Sequence, residues 1–262
     1  MGKKSGIGGI MPIGKFGTKE WSDYSFNVVE GCSHDCVYCY AKSAAIKRGI
    51  KTSENWHDEV VRDGKIIRKF DGVIMFPTQH DITPGTVDIC EKTLKSLLEI
   101  GNKVLVVSKP HHEIIKRFCD EFEEYKNSLE FRFTIGSSHD NVLSYWEPNA
   151  PNFIERVASL VYSYHSGYKT SVSCEPMLDT DIEEVVEAVH PYANEIWLGK
   201  PNFLEERVLV NNHKYCESAL VLDSIFSDEW ILSLVERLKD DPKIRWKESI
   251  QKVIDSHTKD SL

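Results

Sequence analysis

Short apolar runs and longer amphipathic runs alternate along this chain from residue 24 to residue 239. Short runs rich in β-branched and aromatic residues predict buried strands, and apolar residues at helical spacing predict the helices between them. A chain that alternates in this way folds into a parallel sheet with right-handed crossovers. The predicted strands cover residues 25–30, 73–76, 103–107, 130–135, 169–174 and 195–198.

These six strand–helix units are too few to close an eight-stranded barrel. We therefore predict an α/β fold, an open and partial (β/α)6 barrel over residues 24–225. A glycine-rich segment, residues 1–23, precedes the barrel, and a helical segment, residues 226–262, packs on it. Ser227 is the predicted N-cap of the last strong helix. The predicted helices cover residues 41–48, 84–100, 112–125, 151–165, 181–189 and 227–239.

The composition is that of an ordinary soluble domain, with 28% charged and 41% hydrophobic residues among 262. No apolar run approaches the length needed to cross a bilayer, and the glycine-rich N-terminus makes a poor signal peptide. We therefore expect a cytoplasmic protein whose seven cysteines do not form a disulfide framework. The net charge of −9 disfavours a broad nucleic-acid-binding surface but leaves room for a small basic groove.

Polar residues collect directly after the predicted strands. They lie in residues 77–81, 108–112, 136–140, 174–176 and 199–202, whereas the strands themselves are apolar. In parallel barrels the chemistry takes place at the C-terminal ends of the strands. These residues are therefore the candidates for a functional site.

Cys32, Cys36 and Cys39 form a C-x3-C-x2-C run directly after the first predicted strand. Three thiolates on one short loop can bind three irons of a four-iron cluster and leave the fourth iron open to a small molecule. A structural zinc site would need four closed ligands. His34 lies inside the run and makes a Cys3His zinc site the alternative, but it is too close along the chain to complete a tetrahedron easily.

With Tyr40 as the aromatic residue after the last cysteine, this run resembles the signature of the radical S-adenosylmethionine (SAM) superfamily. The resemblance implies a partial TIM barrel in which Cys32, Cys36 and Cys39 bind a [4Fe–4S] cluster. It implies that the open iron chelates SAM and that the reduced cluster cleaves SAM to a 5′-deoxyadenosyl radical, which abstracts hydrogen from a substrate. An external donor such as flavodoxin or ferredoxin would supply the electron.

Further runs resemble the spore photoproduct lyase branch of this superfamily, which includes proteins labelled DNA repair photolyases. The resemblance covers roughly residues 24–200, and residues 18–27 are also similar to a phage-associated radical SAM-like group. The runs that carry the lyase resemblance are Gly31, residues 107–110 (VSKP), 130–138 (EFRFTIGSS), 146–151 (WEPNAP), Arg156, 167–169 (GYK) and 174–178 (CEPML).

The lyase resemblance implies three contacts to SAM. In that branch a lysine after the third strand and a serine after the fourth contact SAM, and Lys109 and Ser137 occupy the matching positions. An ammonium can pair with the SAM carboxylate, and a hydroxyl can bond that carboxylate or a ribose oxygen. Tyr40 should lie near the adenine. The alternatives are a solvated Lys109 beside a turn proline, a turn role for Ser137 and a core position for Tyr40.

Two residues at the end of the fifth strand are further candidates. The Glu175 carboxylate could accept hydrogen bonds from the SAM amino group or ribose, or it could bind the substrate. A salt bridge from Glu175 to Lys200 or Lys109 is its structural alternative. Cys174 is the candidate hydrogen donor or auxiliary ligand, provided that its side chain faces the barrel.

The sequence departs from the lyase pattern at the end of the second strand. Spore photoproduct lyase uses a cysteine there to return a hydrogen atom to the product radical, whereas Gln79 or a neighbour occupies that place here. Cys90 and Cys119 lie on the following helices, where a free cysteine behaves as a small buried hydrophobe. Photoproduct repair by the lyase mechanism therefore does not follow from the cluster motif.

Our hypothesis is a radical SAM enzyme, a lyase or a C–H-modifying enzyme, that acts on an unidentified small-molecule, peptide or nucleobase substrate. The first alternative is a nucleobase or DNA photoproduct lyase. The alternative from another class is a non-catalytic protein that binds an iron–sulfur cluster or zinc.

Overall fold

The computed structural model describes residues 17–62 and 66–260, and its centre is a seven-stranded parallel sheet. The strands of the described chain are β1 (Tyr24–Ser25), β2 (Val29–Glu30), β3 (Val60–Val61), β4 (Val73–Phe76), β5 (Lys103–Ser108), β6 (Leu129–Thr134), β7 (Lys169–Cys174), β8 (Glu195–Leu198) and β9 (Ile244–Trp246). The large sheet has the order β1-β4-β5-β6-β7-β8-β9, and every pairing in it is parallel. Parallel strands that neighbour one another in chain order form an open barrel, as predicted.

Helices connect the strands of this sheet. Because each connection returns the chain to the same edge, all the C-terminal strand ends meet at one edge of the sheet. The α-helices of the described chain are α1 (Tyr40–Lys47), α2 (Val87–Glu99), α3 (His112–Glu121), α4 (Asp140–Trp146), α5 (Phe153–His165), α6 (Ile182–Val189), α7 (Leu204–Asn211), α8 (Cys216–Ile225), α9 (Asp228–Leu238) and α10 (Glu248–Asp260).

The predicted first strand is wrong in its extent. Tyr24–Ser25 pairs with β4, but Val29–Glu30 leaves the large sheet and forms a separate antiparallel pair with β3. The side chain of Asn27 lies at the break, where its Oδ1 accepts hydrogen bonds from the backbone N–H groups of Thr78 (2.8 Å) and Gln79 (2.7 Å). This contact holds the chain against the end of β4 and directs the following residues away from the sheet.

The predicted count of six strands is also wrong, because β9 is the seventh strand of the large sheet. Ile244 lies opposite Ile196, and Trp246 lies opposite Leu198. A three-residue run with the charged Arg245 at its centre carries no strand pattern of its own. Its strand conformation depends on pairing with β8, which local sequence cannot reveal.

Helices α7 and α8 occupy a stretch for which the sequence predicted no helix. Leu209, Leu220 and Val221 are exposed on these two helices. Apolar residues on the solvent side obscure the spacing by which an amphipathic helix is recognised. The pattern therefore gave no clear periodicity over residues 203–225.

The two faces of the sheet have different chemistry. Val172, Cys174 and Leu198 share the face that packs under the helices, and each is fully buried in the main hydrophobic core. Arg132 and Ser171 share the opposite face, the barrel interior, where Arg132 Nε donates to Ser171 Oγ (2.8 Å). Alternation of side chains along each strand assigns all other strand residues to one of these faces.

Residues 17–21 reach into the barrel interior. Residues 1–16 of the predicted glycine-rich segment lie outside the described residues. Trp21 follows a 3-10 helix, Gly17–Glu20, and its ring lies 4.8 Å from the guanidinium carbon of Arg132 and 6.0 Å from the ring of Trp197. A cavity of about 580 Å³ lies beside it, at the N-terminal ends of the strands. That cavity is at the edge of the sheet opposite to the polar strand ends.

Two further predictions concern the chain as a whole. The domain limits at residues 24 and 226 stay predictions, although β9 shows that the C-terminal segment also contributes to the sheet. None of the helices in the described ranges combines the length and the apolar character needed to cross a bilayer.

Candidate functional site

The cysteine loop begins where β2 ends. Gly31 has a φ of +95°, and a Cβ at this position would lie 2.2 Å from the backbone oxygen of Asp58 and 2.7 Å from that of Trp56. Glycine alone tolerates both the positive φ and this close approach of the backbone. Cys32 N then donates to the Trp56 carbonyl (3.0 Å), which fixes the start of the loop.

All three thiols of the loop are enclosed by protein. Cys32 and Cys36 are buried, and Cys39 is half-buried. Burial raises the pKa of each thiol, that of Cys36 to about 12. The ammonium of Lys109 acts in the opposite direction on the pKa of Cys36, and Lys42 N lies 3.4 Å from Cys39 Sγ at the start of α1. A bound metal would offset the cost of forming thiolates here.

The three sulfur atoms are not spaced for zinc. Sulfur ligands of a tetrahedral zinc with bonds of about 2.3 Å lie about 3.8 Å apart. In residues 17–62 and 66–260, the sole set of three ligand atoms from His, Cys, Asp or Glu within 4.8 Å of one another is His139, Asp181 and Glu184, which are partly or fully exposed. Cys32, Cys36 and Cys39 do not form such a set, so the loop as it stands is not a closed zinc site.

The side chain of His34, within the cysteine loop, is buried, and both of its ring nitrogens contact other side chains. Its Nδ1 lies 3.2 Å from Asp81 Oδ2, and its Nε2 lies 3.0 Å from His111 Nε2. The residue is 1% exposed. Both nitrogens are engaged in protein contacts, which argues against His34 as the fourth ligand of the Cys3His zinc alternative.

Asp81 is the anchor of this polar network. Its carboxylate accepts from Ile82 N (2.8 Å), Lys109 N (3.0 Å) and the Ser108 hydroxyl, in addition to His34. Burial by itself would raise the pKa of Asp81, but His34, Lys109 and Ser108 outweigh it and hold the pKa well below its usual range. An ionised Asp81 therefore ties the ends of β4 and β5 to the cysteine loop.

Lys109 is buried beside the loop, not solvated. Its Nζ lies 5.5 Å from the centroid of the Tyr38 ring and 3.9 Å from Glu147 Oε1. Burial lowers its pKa, but Cys36, Tyr38 and Glu147 outweigh that effect and raise the pKa well above its ordinary value. The single ion pair of its ammonium within the described ranges is this long one to Glu147, so Lys109 retains hydrogen-bond donors for a ligand.

Glu147 is fully buried and held from two sides. Arg156 Nη2 donates to its Oε2 (2.5 Å), and the Tyr38 hydroxyl donates to its Oε1. Arg156 also donates to the Thr134 carbonyl (3.1 Å). Burial raises the pKa of Glu147, yet Arg156 and Lys109 bring it below its usual value. The carboxylate thus links the cysteine loop to the end of β6.

Tyr40 lies at the rim of the site. It is 41% exposed, and its hydroxyl donates to the Thr78 carbonyl, so it is not a core tyrosine. The guanidinium carbon of Arg207 lies 6.0 Å from the Tyr40 ring and 5.9 Å from the ring of Phe203. Phe203 is 71% exposed with a φ of +53°, a left-handed conformation that is rare for an aromatic residue.

Ser137 is fully buried at the end of β6. Its hydroxyl donates to Asp179 and accepts from His139 N (2.9 Å). These bonds are the turn role that the sequence left as the alternative. A contact between Ser137 and SAM stays a prediction.

Glu175 forms a salt bridge, but with neither Lys109 nor Lys200. Its Oε2 lies 3.1 Å from Lys247 Nζ, which also lies 3.1 Å from Glu20 Oε1. The remaining oxygen, Oε1, has no hydrogen-bond donor from the described ranges. Glu175 can therefore bind a ligand while it stays paired with Lys247.

Cys174 does not face the barrel. It is fully buried in the hydrophobic core and shares its face of β7 with Val172, while Ser171 and Ser173 point to the barrel interior. Burial raises the pKa of its thiol well above the ordinary value. This placement contradicts the condition on which its predicted catalytic role depended.

Three residues near the site carried no signal in the sequence. Arg207 and Asn211 lie on α7, and Lys247 follows β9; neither element was predicted. Glu147 was noticed only as part of the lyase resemblance, without a role. The proline after it was the local signal that could have identified it, because Glu147 ends α4 and does not follow a strand directly.

Neither protein-family models nor curated protein sequences match this chain. Solved structures do. A tyrosine variant of spore photoproduct lyase has a TM-score of 0.54 at 16% identity, with 88% of this chain and 78% of that chain covered. A cysteine variant of the lyase with a dinucleoside spore photoproduct has a TM-score of 0.52 at 18% identity, with 77% and 63% covered. The fold is that of the radical SAM enzymes.

Streptococcus suis SuiB bound to S-adenosylmethionine is similar at a TM-score of 0.50 and 10% identity, with 86% of this chain and 48% of that chain covered. The predicted relationship to the spore photoproduct lyase type of radical SAM protein is thus confirmed at the level of the fold. This chain spans 63% of the lyase chain that carries the dinucleoside. The reaction and the substrate are taken up as proposals below.

Proposed function

We propose that this protein is a radical SAM enzyme in which Cys32, Cys36 and Cys39 bind a [4Fe–4S] cluster and SAM completes the coordination of the fourth iron. The observation that carries the proposal is the position of the cysteine loop. Three enclosed thiols lie on one loop, against the C-terminal ends of β4 and β5, in a barrel of the radical SAM type. That edge is where parallel barrels carry out chemistry.

The donor set fits this cofactor. Three thiols on one loop, with both ring nitrogens of His34 in contact with other side chains, would leave one position of a four-iron cluster without a protein ligand. When bound, the reduced cluster would supply the electron that cleaves SAM to a 5′-deoxyadenosyl radical. The protein supplies orientation and exclusion of water. An external donor such as flavodoxin or ferredoxin would deliver the electron.

The residues around the loop have separate roles in this proposal. Lys109 would pair with the SAM carboxylate, because its buried ammonium has free donors and remains charged. Tyr40 would lie against the adenine at the rim. Glu175 Oε1 would accept a hydrogen bond from the SAM amino group, from ribose or from the substrate. Ser137 would bind SAM by accepting a hydrogen bond from it, because its own hydroxyl hydrogen is donated to Asp179.

Anaerobic reconstitution tests the cofactor proposal. The wild-type protein should take up about four irons and four sulfides per chain, and dithionite with SAM should yield 5′-deoxyadenosine. Cys36→Ala should abolish this cleavage, whereas Cys216→Ala, at a half-buried cysteine far along the chain, should preserve it. Cleavage of SAM by Cys36→Ala at the wild-type rate would reject the assignment. Zinc without visible charge-transfer absorption would favour the non-catalytic alternative.

Arg207 bears on the class of substrate. Its guanidinium lies between Tyr40 and Phe203, burial lowers its pKa, and no acceptor from the described part of the chain pairs with it. A half-buried cation without a partner favours a substrate that carries an anionic group near the rim. A nucleotide, a peptide carboxylate and an anionic metabolite share this chemistry.

Salt dependence separates these substrates. Oligonucleotide binding through several phosphates should weaken steeply as salt rises, and Arg207→Gln should reduce the slope. Absence of binding would favour a peptide or small-molecule substrate. The lyase reaction on DNA photoproducts has the least support, because no cysteine occurs in residues 77–81 and the net charge is −9.

A further inference from the structure

Asn211, at the end of α7, is bonded to the backbone of the cysteine loop. Its Nδ2 donates to the carbonyl of Val37 (2.8 Å) and to that of Cys39 (2.9 Å). Its Oδ1 accepts from Ser43 Oγ (2.9 Å). The residue is fully buried, so all three bonds are shielded from water.

This arrangement fixes the orientation of the amide. Two carbonyl oxygens on one side require the NH2 group there, and the Ser43 hydroxyl donates to the oxygen on the other side. A flipped amide would place its oxygen against two carbonyl oxygens. Asn211 is therefore matched to the loop in one orientation only, which a residue that merely fills space would not require.

The bonds act where the loop turns into α1. Val37 and Cys39 flank Tyr38, whose hydroxyl reaches Glu147, and Cys39 is the N-cap residue of α1. Ser43 Oγ also lies 3.3 Å from the backbone oxygen of Arg207, but its one hydrogen goes to the nearer acceptor, Asn211 Oδ1, so Ser43 joins α1 to α7 at this one point. Helix α7 thus holds the third cysteine in place from a position more than 160 residues later in the chain.

We propose that Asn211 is a positioning residue that sets the backbone geometry of Cys36–Tyr40 and so aligns the Cys39 thiol for the cluster. The proposal rests on the proposed function for its role in catalysis, but the hold on the loop is a property of the protein without iron. Because the same helix presents Arg207 at the rim, α7 joins the substrate side of the site to the cysteine loop.

Asn102 provides a matched control. It is also fully buried, its Nδ2 donates to the carbonyls of Arg68 and Leu97 (3.0 Å each), and its Oδ1 accepts from Phe70 N (2.8 Å). It lies just before β5, at the edge of the sheet opposite to the cysteine loop. Asn102→Asp and Asn211→Asp therefore make the same chemical change in the same kind of buried amide, one away from the loop and one on it.

The experiment compares the two variants in two ways. In protein without added iron, amide hydrogen exchange over residues 37–43 should be about tenfold faster or more in Asn211→Asp, because two hydrogen bonds to the loop are lost, and unchanged in Asn102→Asp. After reconstitution, Asn211→Asp should show an altered electron paramagnetic resonance spectrum of the reduced cluster with SAM, and Asn102→Asp the wild-type spectrum. Asn211→Ala, which removes the amide without adding a charge, should also speed exchange over these residues relative to Asn102→Ala, and this pair replaces the aspartate variants if Asn211→Asp does not fold.

Equal loop exchange in the two variants, at equal loss of global stability, would overturn the proposal, as would a wild-type spectrum for Asn211→Asp. Failure of the proposed function has a different signature. In that case the wild-type protein itself would take up no iron–sulfur cluster, while the exchange measurement would still report whether Asn211 holds the loop.

Discussion

Glu175 Oε2 lies 3.1 Å from Lys247 Nζ, and this contact joins the end of β7 to the end of β9. Lys247 is 1% exposed, and it also lies 3.1 Å from Glu20 Oε1 and 3.9 Å from the centroid of the Trp21 ring. One buried ammonium therefore holds two carboxylates and residues 20–21 in the barrel interior, with Glu175 beside the proposed SAM site.

Lys247→Met should destabilise the fold by about 3 kcal/mol, because it leaves the Glu20 and Glu175 carboxylates near each other without a cation. The partial exposure of Glu175 to solvent limits this loss of stability. Burial raises the pKa of Glu20 above its usual value, and loss of Lys247 should raise it further. A group with a raised folded pKa stabilises most when protonated, so the loss in Lys247→Met should shrink as pH falls towards that pKa. Urea denaturation across pH measures this.

Lys252→Met is the matched control for Lys247→Met. Lys252 lies 2.5 Å from Glu248 on the surface of α10, and its side chain is 71% exposed. Its removal should change stability by less than about 0.5 kcal/mol at every pH. Equal losses in the two variants would contradict the role of Lys247 in the interior.

His34→Gln should keep the iron and sulfide content of the wild-type protein while lowering its stability. The ring nitrogens of His34 contact Asp81 and His111, so its loss should remove support for the loop without removing a proposed cluster ligand. Metal analysis after reconstitution, together with thermal unfolding, checks both parts. Loss of all bound metal in His34→Gln, as in Cys36→Ala, would instead support His34 as a ligand.

Gly31→Ala should disrupt the cysteine loop far more than Gly49→Ala. Both glycines have positive φ, +95° and +67°, so each alanine costs about 1–2 kcal/mol in backbone strain. At Gly49 the new Cβ meets nothing within 4 Å, whereas at Gly31 it would lie 2.2 Å from a backbone oxygen. Reduced iron uptake in Gly31→Ala alone is expected. Similar uptake in the two variants would show that the loop can shift without cost.

Phe203→Gly should stabilise the protein by about 1 kcal/mol, because it relieves a left-handed φ of +53° and sacrifices little burial from a side chain that is 71% exposed. Leu209→Gly, on the exposed face of α7, the helix that Phe203 precedes, should instead cost about 1 kcal/mol. Thermal unfolding distinguishes the two. If Phe203→Gly also weakens substrate binding, the strained conformation of Phe203 is kept for substrate binding at the rim of the site and not for stability.

The sequence determined the features that depend on neighbouring residues. Alternating apolar runs predicted β4, β7 and β8 with the bounds that the structure has, and the spacing of Cys32, Cys36 and Cys39 placed three thiols on one loop. Burial of apolar runs and the reach of a short loop are local constraints, so a linear pattern records them. The same reasoning put Lys109 at the end of a parallel strand and hence beside the loop.

The tertiary structure alone decided which residues those elements meet. Cys174 belongs to a correctly predicted strand, but its side chain faces the helices. A shift of one residue along a strand reverses the face to which each side chain points, and the local sequence pattern here did not define that face. Lys247 reaches Glu175 only because β9 pairs with β8, and Asn211 reaches Cys39 only because α7 packs on α1. These contacts join residues 72 and 172 positions apart. They form only in the assembled fold, so no periodic pattern in the sequence predicts them.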